Sequence, residues 1–214
     1  MKLYTYFRSS AAYRVRIALA LKNLTPQMIP VHLLRDGGEQ KAPEYLSLNS
    51  QGLVPMLDDE GVLITQSMAI CEYLEQTHPL PPLLPANATA RARVRALVLS
   101  IACEIHPLNN LRVLNYLTGS LGISEGQKLA WYHHWIQLGF GALETQLASE
   151  SATGIYCHGD AATLADVFLV PQMANARRFD LDLSPYPTLV RIDATCRELP
   201  AFIAAAPQNQ ADAV

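Results

Sequence analysis

Asn49-Ser50-Gln51-Gly52-Leu53-Val54-Pro55-Met56-Leu57-Asp58-Asp59-Glu60-Gly61-Val62-Leu63-Ile64-Thr65-Gln66-Ser67 begins as a polar turn and enters an apolar strand through a proline. Asp59-Glu60-Gly61 between two apolar runs is a hairpin signal, so a strand from Met56 and a returning strand over Val62–Thr65 pair antiparallel. Met68 to Gln76 then follows helical spacing. Proline opening a strand fits either an edge-strand start or a cis Val54–Pro55 peptide. In isolation the trans form wins, because cis occurs at only about 5–6% of X–Pro bonds.

The upstream residues change that balance. Lys2 to Tyr6 reads as a strand, and the run Ala12 to Leu21 as a helix. Val15, Ala18, Leu19 and Lys22 fall at helical spacing, with Arg14 and Arg16 on other faces. Met28 to Val31 reads as a second strand after Pro26, and Glu39 to Leu48 as a short helix after the Gly37-Gly38 turn. The order is β-α-β-α-β-β-α. Thioredoxin-like domains share this order and place a cis-proline at this point, which makes cis Val54–Pro55 the expectation. Val54 N–H and C=O would then face outward, free to pair with an extended peptide. Ser67 is a helix N-cap candidate. Its neighbouring N–H groups and the positive end of the helix dipole also suit a carboxylate. Val54-Pro55 and Gln66-Ser67 together describe a site for a small peptide bearing an α-amino acid end.

Composition changes at His78-Pro79-Leu80-Pro81-Pro82-Leu83-Leu84-Pro85, too proline-rich for a helix or a central strand. Beyond it strand signals nearly vanish. Long helices are expected over Ala88–Thr118 and Glu125–Ser149, with shorter ones from Leu164 and Thr188. Thr163-Leu164-Ala165-Asp166 fits a capping box. The fold class is therefore α/β followed by all-α. A thioredoxin-like domain over residues 1–78, a linker over 79–87 and an all-helical domain over 88–214 are expected.

The formal net charge of −3 gives no reason to expect a nucleic-acid partner. Arg91, Arg93 and Arg95 read as one wet helix face. The most apolar helical stretch, Ala96 to Cys103, is interrupted by Glu104 and His106 well short of the roughly 20 residues a membrane span needs. No signal-peptide pattern opens the sequence. Cys71, Cys103, Cys157 and Cys196 form no CxxC pair and read as buried free thiols of a cytoplasmic protein, not disulfides or zinc ligands. His133-His134 point to different helix faces and make a poor metal pair, so no metal is expected.

The run Tyr6-Phe7-Arg8-Ser9-Ser10-Ala11-Ala12-Tyr13-Arg14-Val15-Arg16-Ile17-Ala18-Leu19 closely resembles the signature of zeta-class glutathione transferases. Later stretches agree in order and spacing: Asn49–Pro55, Gln66-Ser67-Met68-Ala69-Ile70, Ile105-His106-Pro107-Leu108-Asn109-Asn110-Leu111-Arg112, Ala174-Asn175-Ala176-Arg177-Arg178-Phe179 and Pro185-Tyr186-Pro187. The resemblance spans nearly the whole chain. It implies the glutathione transferase fold, glutathione as cofactor and a homodimer. It also implies cis–trans isomerisation of a maleyl keto acid by reversible thiolate addition, in the breakdown of tyrosine and other aromatic compounds. Maleylacetoacetate and maleylpyruvate share the maleyl end and differ in tail length. The alternative activity is general conjugation of small electrophiles, or dehalogenation of α-haloacids.

By the resemblance, Ser9 hydrogen-bonds the glutathione sulfur, with Ser10 as fallback. A hydroxyl at a helix N-terminus donates to a thiolate, and the dipole stabilises the anion. The competing role of both serines is that of an ordinary cap. Val54 is expected to hold the cysteinyl part, Gln66 and Ser67 the γ-glutamyl carboxylate, and Gln40 to lie near the glycyl end. The substrate carries two carboxylates, which arginine binds through paired, charge-assisted hydrogen bonds. Arg8 lies beside the sulfur position, and Arg178 matches the arginine the family brings from the helical domain, with Arg177 as the competing choice. Asn110 and Arg112 are further candidates for glutathione or the acid. His106 is a candidate general acid, against a hydrogen-bonding role at a helix kink. Many zeta members carry cysteine after the serine pair, where this chain has Ala11; glutathione is then the only catalytic thiol.

Overall fold

A computed structural model describes residues 1–213. The elements run β1 (Lys2–Thr5), α1 (Ser10–Leu21), β2 (Gln27–Pro30), α2 (Pro43–Leu48), β3 (Met56–Asp59), β4 (Val62–Thr65) and α3 (Ser67–Thr77). The helices α4 (Ala88–Glu104), α5 (Leu111–Gly119), α6 (Glu125–Ser149), α7 (Leu164–Arg178), α8 (Pro187–Arg197) and α9 (Pro200–Ala205) follow. The chain forms two compact units, Met1–Leu83 together with the segment from Glu198, and Leu84–Arg197.

In the first unit the strands lie in the order β2-β1-β3-β4. β1 pairs parallel with β2, so α1 is the crossover that a parallel pair requires. β3 pairs antiparallel with both β1 and β4, and Asp59-Glu60-Gly61-Val62 closes the hairpin. This is the thioredoxin-like order expected from the sequence, and the Val54–Pro55 bond is cis. Leu3, Ile17, Leu57, Ile70 and Leu74 are fully buried between the sheet and its helices.

α1 departs from the expected amphipathic pattern. Arg14 and Arg16 are as buried as the apolar residues beside them. Arg16 donates to Thr5 Oγ1, the Tyr6 and Phe7 carbonyls and the Ala205 carbonyl, so a charge that looked solvent-facing ties α1 to the β1 exit and to α9. Burial pulls its guanidinium down to about 10, against the opposing field of Asp212. The segment after Glu198 thus joins the first unit, not the helical one as the expected boundary at residue 88 implied. Tyr13 Oη also meets the Phe202 carbonyl there, at 3.5 Å.

The proline-rich stretch is anchored to the first unit. Lys22 Nζ donates to Glu75 at 2.7 Å and to the His78 and Pro81 carbonyls, while the Leu83 amide donates to the same Glu75 carboxylate.

The expected helix over Glu39–Leu48 is interrupted: a single 3-10 turn covers Glu39–Lys41, Ala42 is extended, and α2 starts at Pro43. A residue before proline is pushed out of the helical region, which is the cause of the break.

In the second unit the expected helix over Ala88–Thr118 is two helices. α4 ends at Glu104, a 3-10 turn spans His106–Asn109, and α5 restarts at Leu111 with Asn110 Oδ1 accepting the Arg112 amide at 3.1 Å. Pro107 cannot donate to the helix ladder and its ring clashes with the preceding turn. Arg91, Arg93 and Arg95 do not share one wet face. Arg93 is held by Glu150, the Cys157 carbonyl and Thr153 Oγ1, pinning the segment after α6 against α4. Glu125–Ser149 is helical as expected, and so is the Thr163–Asp166 capping box, with Asp166 Oδ2 accepting the Thr163 amide at 2.8 Å. α7 is buried on nearly all sides and forms the centre of this unit. No helix among the described residues is long and apolar enough to cross a membrane.

Candidate active site

The link between β1 and α1 is a tight turn in which the Ser9 amide donates to the Tyr6 carbonyl at 2.9 Å. Ser9 has extended backbone angles, and its Oγ accepts the Ala12 amide at 3.2 Å, the geometry of a true N-cap. A serine hydroxyl has one hydrogen and acceptor capacity for two. The helix amide uses an acceptor site, so the Ser9 hydrogen stays available to a sulfur or oxygen anion outside. The cap and the donor role therefore coexist. Ser9 is half-buried whereas Ser10, one residue into α1, is buried. Arg8 is exposed, with its guanidinium carbon 4.9 Å from the Phe7 ring centroid.

This turn is clamped from outside. The Phe7 carbonyl accepts Arg16 Nη2 at 3.0 Å, and the Phe7 amide donates to Asp212 Oδ2 at 2.9 Å. Both backbone groups of the residue two before Ser9 are thus fixed by distant parts of the chain. Tyr6 and Phe7 pack in a cluster with Val31, Tyr45, Val54 and Met56, which carries the turn next to the proline loop.

The proline loop is built by Asn49. Its Oδ1 accepts the Gln51 amide at 3.1 Å, and its Nδ2 donates to the Leu53 carbonyl at 2.8 Å. Tyr45 Oη donates to the same carbonyl at 2.6 Å; burial, the largest effect, pushes its phenol up to about 12, so it stays protonated as that donor needs. Leu53 is thereby satisfied, but among the described residues Val54 N–H and C=O make no hydrogen bond. Unpaired, adjacent donor and acceptor groups are what an added extended strand would use.

Gln66, between β4 and α3, has φ +70 and donates through Nε2 to Gln51 Oε1 at 2.8 Å. Ser67, expected as the N-cap of α3, is instead its first helical residue, with Gln66 at the cap; it is buried, and its Oγ accepts from Arg14 Nη1 at 3.3 Å. Gln40 is buried in the 3-10 turn; Nε2 reaches the Leu33 carbonyl at 3.4 Å, while Oε1 has no hydrogen-bond partner among the described residues. Gly38 makes this placement possible. Its φ is +108, and a Cβ there would come within 2.6 Å of the Gln40 amide.

Ser9, Ser10, Arg8, Gln40, Val54, Gln66 and Ser67 therefore all belong to the first unit. Arg178, Asn110, Arg112 and His106 belong to the second. Arg177 is paired with the buried Asp193, which Arg197 also approaches at 3.9 Å. Arg178, at the end of α7, lies 5.0 Å over the Phe179 ring and has no carboxylate partner among the described residues. Phe179 stacks on Tyr132 at 3.9 Å, and its carbonyl lies 2.6 Å from His133 Nε2. Burial pushes the Tyr132 phenol up, and the nearby Arg178 charge works against that. Asn110 caps α5 and His106 sits in the 3-10 turn before it.

Residues that sequence reasoning passed over now matter: Arg14, Arg16, Asn49, Gln51 and Asp212. Asn49 had a local signal, since Asn preceding a Gly turn favours bonds to its own backbone two residues on. The other contacts are tertiary.

The comparisons with known proteins agree with this architecture. Residues 1–76 match the family described as glutathione S-transferase, N-terminal domain. A probable maleylacetoacetate isomerase of Vibrio cholerae is 53% identical over 211 residues, covering 99% of this chain and 97% of that protein. The holo structure of a maleyl pyruvate isomerase, described as a bacterial glutathione S-transferase in Zeta class, superimposes with a TM-score of 0.97 at 47% identity and full coverage of both chains. A maleylacetoacetate isomerase of Methylobacterium extorquens AM1, solved with bound malonate and glutathione, gives a TM-score of 0.96 at 40% identity, again over the whole of both chains. A cis-proline loop with unpaired Val54 backbone groups, a capped serine turn and full-length similarity at these levels converge: the chain belongs to the zeta-class glutathione transferases, the family of the maleylacetoacetate and maleylpyruvate isomerases.

Proposed function

We propose that this protein is a glutathione-dependent isomerase that converts maleylacetoacetate or maleylpyruvate into its fumaryl isomer. The observation that carries the reading is the Ser9 hydroxyl. It is capped to Ala12 on its acceptor side, half-exposed, and seated at the N-terminus of α1. Similarity to enzymes of that activity along the whole chain supports it.

The first unit fits glutathione on its own chemistry. Val54 offers an unpaired N–H and C=O for the cysteinyl backbone. Ser67 has a hydroxyl hydrogen left over for the γ-glutamyl carboxylate, with Gln66 beside it. Gln40 Oε1 is a buried acceptor awaiting a donor near the glycyl end. Bound there, glutathione supplies a thiolate whose reversible addition to the conjugated alkene leaves a single bond free to rotate.

The protein's part is to hold charge and position. Ser9 donates its hydrogen to the sulfur, and the α1 N-terminus adds positive potential, so ionisation is brought towards neutral pH. Arg8 and Arg178 bind the substrate carboxylates, and their charge faces the oxygen on which negative charge develops. Ser10 is the alternative sulfur donor, and Asn110, Arg112 and His106 are the further ligand-binding candidates of the helical unit. No protein thiol stands beside the serine pair, where Ala11 follows; burial pushes the Cys71 thiol up to about 12 and raises those of Cys157 and Cys196, while Cys103, expected to be buried, is exposed in the helical unit. The first unit is the glutathione-binding domain and the helical one the substrate domain. The working form is a cytoplasmic homodimer, a reading supported by the exposed apolar residues Val62 and Leu63 on edge strand β4.

Purified protein with glutathione and each maleyl keto acid, followed by NMR, tests this. Fumaryl product with glutathione recovered unchanged is expected. No turnover with either acid overturns the proposal, and stoichiometric loss of glutathione into a thioether would favour a conjugating transferase.

A further inference from the structure

Arg14 is 2% exposed, which is unusual for a charge on a helix that connects two strands. Its Nη1 lies 3.3 Å from Ser67 Oγ, and Ser67 is itself 7% exposed. Direction matters here. A guanidinium has donors only, so Ser67 Oγ must accept. That leaves the single Ser67 hydrogen with nowhere to go along this contact. It is left for another acceptor, and Ser67 stands at the mouth of α3, where the first backbone N–H groups are also unpaired by the helix.

We infer that Arg14 is a positioning residue for glutathione: by donating into Ser67 Oγ it fixes that hydroxyl as a donor to the γ-glutamyl α-carboxylate. The inference rests on the glutathione reading above and deepens it. Without Arg14, the Ser67 hydroxyl is free to rotate and to donate inward or to a backbone carbonyl. With it, the serine, the α3 amides and the buried positive charge behind them act in one direction. Arg14 does not touch the ligand. Its effect is therefore on binding of one particular group, and little on the chemical step at Ser9, which belongs to a different helix N-terminus.

The test compares two ligands, glutathione and γ-aminobutyryl-cysteinyl-glycine, which lacks only the α-carboxylate, by calorimetric titration. Wild-type protein is expected to prefer glutathione by at least tenfold, since a charge-assisted hydrogen bond is worth that much. R14M is expected to bring that preference down by about tenfold by weakening glutathione alone, with kcat at saturating glutathione changed by less than about threefold. In S67A the preference is already low, and adding R14M should change it little, because the two residues act through one contact. If R14M is not recovered folded, R14K serves: it keeps the buried charge but not the planar fork, and should lose part of the preference, about threefold or more. R14M or R14K with wild-type preference would overturn the inference, as would equal weakening of both ligands. Wild-type protein that binds both ligands alike would also overturn the inference, whereas binding of neither would overturn the glutathione reading itself.

Discussion

Ser9 and Ser67 occupy the same kind of place: each follows a strand and stands at the start of a helix in the α/β unit. They differ in what occupies the hydroxyl's acceptor side. Ser9 Oγ takes the amide of Ala12, three residues along its own helix, and is half-exposed. Ser67 Oγ takes a guanidinium from a different helix and is buried. In both the consequence is a hydroxyl hydrogen left for another acceptor. The first acceptor bond is made locally and the second by tertiary packing. Donor polarity, and not the presence of a serine at a helix start, is what makes either hydroxyl a binding group.

The largest expected effect breaks the pair apart. Ser9→Ala should lower kcat by about 100- to 1000-fold, the cost of losing a donor to a developing or resident anion. It should also cost about 1 kcal/mol of stability through the lost cap, read as a shift in the denaturant midpoint. Ser10→Ala, in steady-state assay, should stay within about threefold of wild type because Ser10 is buried inside α1.

A second pair sharpens the same idea in the helical unit. Arg178→Ala should raise KM for the maleyl acid by about 10- to 100-fold, since a charge-assisted, bidentate contact is lost. Its neighbour should behave otherwise. Arg177→Ala removes the partner of buried Asp193 and should cost about 1–2 kcal/mol in thermal or denaturant unfolding, discounted for the guanidinium's partial exposure, with KM unchanged.

Ser67→Ala is expected to have a smaller effect than Ser9→Ala or Arg178→Ala. It should raise KM for glutathione by about tenfold and leave kcat within about threefold, the reverse of Ser9→Ala. Equal kcat losses in the two variants would erase the distinction between them.

How much of this was legible in the sequence follows the same line. The Asp59–Gly61 hairpin, the Thr163–Asp166 box and the Ser9 step rest on contacts a few residues apart, and their signals were there to read, whereas the cis Val54–Pro55 bond was legible only from the order of elements along the domain. The break at Pro107 was written locally too, but the apolar run on either side masked it. Arg14, Arg16 and Arg93 resembled solvated helix faces, because nothing within a helix announces that its charged side meets Ser67, the β1 exit or the Glu150 segment. Asp212 bonding the Phe7 amide joins residues at opposite ends of the chain, and no spacing rule reaches that far. Arg177 and Arg178 were indistinguishable until Asp193 was seen beside one of them.

The ionisation of bound glutathione tests the central claim most directly. Ultraviolet thiolate absorbance would be titrated with pH in wild-type protein and in Ser9→Ala. The wild-type complex should ionise at least about one pH unit below free glutathione, and the variant should return to the free value. A bound thiol that titrates with the free one in wild-type protein, or stays equally acidic without the Ser9 hydroxyl, would contradict the assignment of Ser9 as the group that holds the sulfur ionised.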